Sequence, residues 1–314
     1  MERALTTVGD MTFGVTVPNK GPGAGPELID AACAAATSAG WRSAWVTDHL
    51  MVPQGPEADE YGIMLEALTT LSWVGGRYED LVFGTSVISP AMRDAPMLAK
   101  ELATIDVLLG GRLIVGVGVS DTDDLPEYTN MGKQERFARR GAYVDEAIRL
   151  WRHLWSGNTG LFDGEFHQLS DFTFGPLPVQ GADIPIWVGG RSTRALRRTA
   201  ELANGYHAAQ TGPKDLDERL PQLREALTLT GRPWPFISTR ARVRFDQAQR
   251  EVYSMSGTDE AIANEVAAFA VAGNNELILV FEGHDPRALT SEIERFRDAV
   301  VPLAAQQARQ AALA

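Results

Sequence analysis

The stretch RLIVGVGVSD, Arg112 to Asp121, opens on an apolar run and closes on Ser120-Asp121. LIVGV within it is apolar on both faces, as a parallel strand covered by helices must be, where a half-buried strand would alternate. ELILVF, Glu276 to Phe281, reads the same way. Working outward, strand and helix patterns alternate along the whole chain. Strands are expected at 12–18, 43–48, 81–89, 112–118, 184–188, 206–210, 236–245 and 276–281. Helices are expected near 27–39, 62–74, 95–109, 134–155, 192–203, 216–229 and 259–272, with a last one carrying Leu289, Ile293, Phe296 and Val300. In the 134–155 segment Val144, Ile148, Trp151 and Trp155 recur at helical spacing and form one apolar face. About eight strand–helix units close a (β/α)8 TIM barrel. A doubly wound open sheet is less favoured, because no GxGxxG follows the first strand. The expected organisation is one barrel domain over 1–314, with an insertion at 156–183 after the fourth helix. The Ala/Gln-rich tail, 304–314, is expected to fray.

Composition narrows the classes. With 44% hydrophobic and 22% charged residues the make-up is that of a globular protein. The formal net charge of −12 repels nucleic acid and anionic membrane surfaces. Cys33 is the one cysteine, which excludes internal disulfides and cysteine-built metal clusters and suits a reducing cytoplasm. No basic head followed by an apolar run marks a secretory signal, and no stretch approaches the ~20 apolar residues of a membrane helix. A soluble, cytoplasmic protein is expected.

In a barrel the chemistry gathers where strands run into their following loops. SAWVTDHL, Ser43 to Leu50, ends on Asp48-His49, and a buried carboxylate–imidazole pair is costly unless hydrogen-bonded or used. The third strand ends in Thr85-Ser86-Val87, the fourth in Val119-Ser120-Asp121, the fifth in Gly189-Gly190-Arg191-Ser192. That fifth turn suits a phosphate: glycines permit close approach, Ser192 can cap the next helix, and Arg191 adds a charge-assisted donor. It also reads as an ordinary capped turn. Of the five histidines only His49 and His207 fall at strand ends; His153 is expected on a solvated face, and His167 and His284 in structural roles. No metal-ligand spacing and no GxSxG elbow appears.

These residues make a resemblance visible. Gly110 to Trp155, GGRLIVGVGVSDTDDLPEYTNMGKQERFARRGAYVDEAIRLWRHLW, resembles the central signature of the bacterial-luciferase-like monooxygenase superfamily. Phe174 to His207, FGPLPVQGADIPIWVGGRSTRALRRTAELANGYH, resembles its second signature, and TDHL, FGTSV and LAKELATID extend the match in order. The resemblance implies a (β/α)8 barrel with an insertion that binds the deazaflavin coenzyme F420, or FMN, at its C-terminal face. It implies Asp48 and His49 at the reactive edge of the ring, with His49 as general acid or base, Asp48 orienting it or touching the ring, and Asp121 a second candidate for proton transfer. It implies a non-prolyl cis peptide at Ser86-Val87 behind the ring, cofactor contacts from Val119, Ser120 and Asp121, and a phosphate turn at Gly189, Gly190, Arg191 and Ser192. Pro53 stands where sugar-phosphate dehydrogenases of the family carry Trp, Ser120-Asp121 where many relatives have Gly-Trp, and Asn204-Gly205-Tyr206 where Asp-Gly-Trp is usual. No basic substrate-phosphate cluster is evident, which argues against glucose 6-phosphate.

The leading expectation is an F420-dependent oxidoreductase moving a hydride between the deazaflavin and a small organic substrate. The alternatives are an FMN-dependent luciferase-like monooxygenase using reduced flavin and O2, and a flavin-binding protein without catalysis. Expected partners are the small-molecule substrate and a flavin or F420 reductase that supplies the cofactor; a homodimer is the symmetric default. The insertion 156–183 and the loop 246–257 are expected to shape the pocket.

Overall fold

The computed structural model describes residues 4–249 and 252–313. Eight parallel strands close on themselves: β1 (Met11–Thr16), β2 (Ser43–Val46), β3 (Val82–Thr85), β4 (Leu113–Val117), β5 (Ile186–Gly189), β6 (Gly205–Ala209), β7 (Phe236–Phe245) and β8 (Glu276–Val280). Each pairs with the next, and β8 pairs back with β1 through Glu276 opposite Thr12. The helices that cover them are α1 (Pro26–Ser38), α2 (Ala67–Gly75), α3 (Ala95–Leu108), α4 (Arg140–Trp155), α5 (Thr193–Leu202), α6 (Pro213–Thr230), α7 (Asp259–Val271) and α8 (Pro286–Arg295). This is the (β/α)8 barrel that the doubly apolar strands call for. Among the described residues no helix is long and apolar enough to cross a membrane.

The barrel interior is filled by side chains. Trp45, Ile114, Trp187 and Ile278 form a compact inner cluster, the two indoles stacked at 4.9 Å. Two large rings fit side by side only because the facing positions carry nothing: a Cβ at Gly84 would collide with Trp45, and one at Gly205 with Trp187. Beneath them, at the N-terminal end, Glu276 is held by Arg42 (2.7 Å) and Ser43 (2.6 Å). The apolar face of α4 docks on α3 as its periodicity requires, and the indoles of Trp151 and Trp155 donate to the carbonyls of Ala95 and Ala99, both at 2.9 Å.

Two details differ from the pattern reading. The expected 62–74 helix starts later, at α2, where Glu66 accepts from the Thr69 N–H at 2.7 Å, and a separate short helix covers Pro56–Tyr61. The tail expected to fray is instead a helix, Val301–Leu313. Ala304 is fully buried and Leu303, Ala305 and Ala308 pack on the core, so small side chains that look featureless in sequence allow a close helix approach. The insertion carries a two-stranded antiparallel ribbon, Phe162–Asp163 with Gln168–Leu169. It is pinned by one carboxylate of α4: Glu146 accepts from the N–H groups of Glu165, Phe166 and His167 and from the His167 ring at 2.8 Å. His153, expected on a solvated face, bonds the Gly160 carbonyl at 3.1 Å and lies against Phe162.

Candidate active site

The polar residues collect at the C-terminal mouth of the barrel. Asp48 and His49 follow β2 directly, and their side chains go to different partners. Asp48 is buried and receives the Arg93 guanidinium on both oxygens, at 2.6 and 3.3 Å. Arg93 also reaches Glu66 at 2.8 Å, which ties the end of β2 to the start of α2. Burial pushes the Asp48 carboxyl up, and the Arg93 charge opposes it. His49 presents Nδ1 to Glu127 at 2.9 Å. Glu127 is itself buried and accepts from the N–H groups of Leu50 and Met51. Burial disfavours the His49 cation, but the Glu127 hydrogen bond and charge, with Asp124 and Asp48 behind it, outweigh that and raise its pKa. Burial pushes Glu127 the other way, and its bonds to His49 and Leu50 bring its carboxyl below the usual value. Orienting His49, one of the two roles the sequence left to Asp48, is done by Glu127.

Sequence reasoning passed over Glu127. Its signal was present, since the Glu127-Tyr128 pair falls inside the Gly110–Trp155 signature. Nothing local says that this Glu, 78 positions from His49, folds back against it.

The Ser86-Val87 peptide is cis, as expected. The Ser86 hydroxyl meets His207 Nε2 at 2.8 Å, and His207 Nδ1 meets the Ser238 hydroxyl at 2.7 Å. His207 is fully buried and stacks on Trp45 at 5.3 Å. Burial, reinforced by the Arg240 charge, holds its pKa down to about 3, so the ring is neutral throughout the physiological range. Val87 lies against the fifth turn: a Cβ added at Gly189 would sit 2.8 Å from its Cγ1. Gly190 has φ +128°, a backbone state that other residues rarely adopt. Ser192 caps α5, accepting from the Ala195 N–H at 3.2 Å. The Ala195 N–H also reaches the Ser192 carbonyl at 2.9 Å, which leaves the N–H groups of Thr193 and Arg194 as the first-turn donors without an intrahelical acceptor.

The other sequence candidates are at the rim. Ser120 has φ +64° and its hydroxyl joins Ser89 (3.0 Å) and Tyr128 (3.4 Å). Val119 packs on the core, while Asp121 is exposed and its N–H donates to the Asp124 carboxylate at 2.7 Å. Arg191 is exposed and its carbonyl accepts from Arg219. The fold therefore brings Asp48, His49, Ser86, Val87 and Gly189 together in the mouth, with Asp121 and Arg191 outside it.

A cavity of about 440 Å3 opens beside these residues, at the C-terminal ends of β6, β7 and β8. It is lined by Glu60, Tyr61, Arg240, Arg242, Arg244 and Tyr253 among others, and by none of Asp48, His49, Ser86, Val87 and Gly189. Its wall includes Val252 and Ser254, as expected for the loop 246–257, of which residues 250 and 251 lie outside the described residues. The insertion 156–183 contributes no residue to this cavity, being held against α4 by Glu146; its Ala182 and Asp183 line a separate groove with Arg149 and Arg152. Three arginines of the cavity lining, Arg240, Arg242 and Arg244, are alternate residues of one strand.

A family profile described as luciferase-like monooxygenase matches residues 11–311. A protein of Nakamurella multipartita named F420-dependent glucose-6-phosphate dehydrogenase is 29% identical over 229 residues, covering 71% of this chain and 65% of that protein. The chain spans about three fifths of the length of the curated relatives it matches. A solved F420-dependent secondary alcohol dehydrogenase in complex with an F420-acetone adduct superposes with a TM-score of 0.78 at 16% identity, over 94% of this chain and 99% of that one. The FMN-bound oxygenating constituent of 3,6-diketocamphane monooxygenase from Pseudomonas putida gives 0.73 at 14% identity, over 93% and 98%. At such identities these two likenesses speak to the fold alone.

Proposed function

The chain belongs to the luciferase-like monooxygenase family, and on that premise we propose that it is an F420-dependent oxidoreductase acting on a small organic substrate. One observation carries the reading: a cis Ser86-Val87 peptide, a Gly189–Ser192 turn and an imidazole backed by a carboxylate meet at one barrel mouth. The name of the Nakamurella relative supports the choice of cofactor.

The residues present fit such a group. Gly189 and Gly190 would let its phosphate approach, Ser192 and the N–H groups of Thr193 and Arg194 would donate to it, and Arg191 would reach it from the rim. Ser86, Val87, Val119, Ser120 and Asp48 would hold the ring, and Asp121 would contact it from the rim. When bound, F420 supplies two-electron hydride chemistry that no side chain can perform. His49 handles the proton. Its Nδ1 is engaged by Glu127, which leaves Nε2 for the substrate. In the oxidative direction Nε2 would accept the proton of a substrate hydroxyl, and in the reductive direction it would return one to a carbonyl oxygen. The Glu127 charge stabilises the imidazolium that results.

An absorbance-monitored titration of the purified chain with F420 and with FMN tests the cofactor. F420 is expected to bind at least tenfold more tightly. Binding of FMN alone would overturn the reading.

A further inference from the structure

Arg240, Arg242 and Arg244 occupy alternate positions of β7, so they leave the strand on one side and line one cavity. Two carboxylates answer them. Glu60 takes Lys20 and, at 2.7 Å, Arg242; Glu282 takes Arg242 at 3.5 Å and Arg244 at 3.3 Å. Arg240 has no carboxylate within ion-pair reach among the described residues. Its one hydrogen bond is to the Ser86 carbonyl, at 3.1 Å. Burial pulls its pKa below the ordinary arginine value. A cation so placed is costly unless something negative arrives, and the planar fork of a guanidinium suits an oxyanion.

The position of Arg240 relates that anion to the chemistry. On one side it bonds the carbonyl of the cis peptide. On the other, the cavity wall is Tyr61, whose ring lies 4.3 Å from that of His49. A ligand with its charged end on Arg240 therefore lies against Tyr61, one ring away from the imidazole. A cavity of about 440 Å3 is of the size that holds one small molecule.

We propose that this cavity selects the substrate, and that the substrate is a small organic anion whose carboxylate or phosphate is received by Arg240, with Arg242 and Arg244 adding field behind it. The inference rests on the oxidoreductase reading above, since it needs His49 as the proton-handling group. The charged end need carry no reacting atom; it fixes where the hydroxyl or carbonyl carbon lies.

The test is calorimetric titration of the full chain with inorganic phosphate and with malonate, at constant ionic strength, with and without saturating F420. At least one anion is expected to bind in both states. Arg240→Met should weaken it about tenfold or more, as loss of a charge-assisted bond does. Arg240→Lys keeps the charge without the fork and should fall between the two, which separates an anion site from a folding defect. Arg149→Gln, in a different basic groove, should leave it unchanged. Wild-type affinity in Arg240→Met, or no binding of either anion in either state, would overturn the proposal. Anion binding that disappears once F420 saturates would overturn it too, by assigning the cavity to an anionic part of the cofactor. If F420 itself fails to bind, the cofactor reading falls, while phosphate binding to the cofactor-free chain still decides the anion site.

Discussion

Two histidines stand on the same barrel, His49 just past the end of β2 and His207 in the middle of β6 rather than at the strand end expected of it, and their surroundings send them opposite ways. His49 has a side chain 22% exposed and stands against Glu127, whose charge and hydrogen bond raise its pKa. His207 is sealed between Ser86 and Ser238 beneath Trp45, with neutral partners on both ring nitrogens and its pKa pushed down to about 3. Each ring has two partners' worth of hydrogen bonding to make. Among the described residues His49 engages Nδ1 alone, whereas both nitrogens of His207 are taken. Whether an imidazole is held near its titration range or kept neutral depends on what the rest of the chain sets opposite it.

The contrast can be broken in order of effect. His49→Ala should cut turnover about a hundred- to ten-thousandfold, the usual range for a general acid–base group, with F420 affinity nearly unchanged. Steady-state kinetics beside a binding titration reads both, and unaltered turnover would remove His49 from the chemistry. Glu127→Gln should cost roughly tenfold in turnover and move the ascending limb of the oxidative pH–rate profile to lower pH, since Glu127 holds the His49 pKa up. A limb that stays in place would mean another group governs it.

His207 enters through stability. Its folded pKa is depressed, so between about 6.5 and about 3 the unfolded chain binds a proton that the native chain does not. Stability from this group is present above pH 6.5 and lost as pH falls, by roughly 1.4 kcal/mol per pH unit. Denaturant unfolding of His207→Gln across that window should show a slope smaller by one proton. Ser238→Ala is the smallest change: loss of one buried hydrogen bond should cost about 1 kcal/mol in the same unfolding measurement, with turnover held within twofold.

The same division runs through what could be read beforehand. The barrel was legible because eight apolar strands alternating with helical periods are a local property, repeated along the chain. His49 and the capped Gly189–Ser192 turn were legible because strand ends and turn chemistry are local too; the cis Ser86-Val87 step was expected only through the family resemblance. Glu127, the Arg93 clamp on Asp48 and the neutral fate of His207 were not. Each depends on residues dozens of positions apart meeting at the mouth. The tail was misjudged for a related reason: alanines carry no period strong enough to announce a packed helix, and only contact with the core made one.

STRARVRF of β7 makes the point most directly. By itself the sequence determined that three arginines alternate on a strand, and hence share a side of it, because successive side chains of an extended backbone point opposite ways. Only the tertiary structure decided that two of them meet carboxylates and that Arg240 meets none. Charge compensation is a matter of distance in space: Glu60 reaches the strand from the short helix Pro56–Tyr61 and Glu282 from the loop after β8, both far away in chain order.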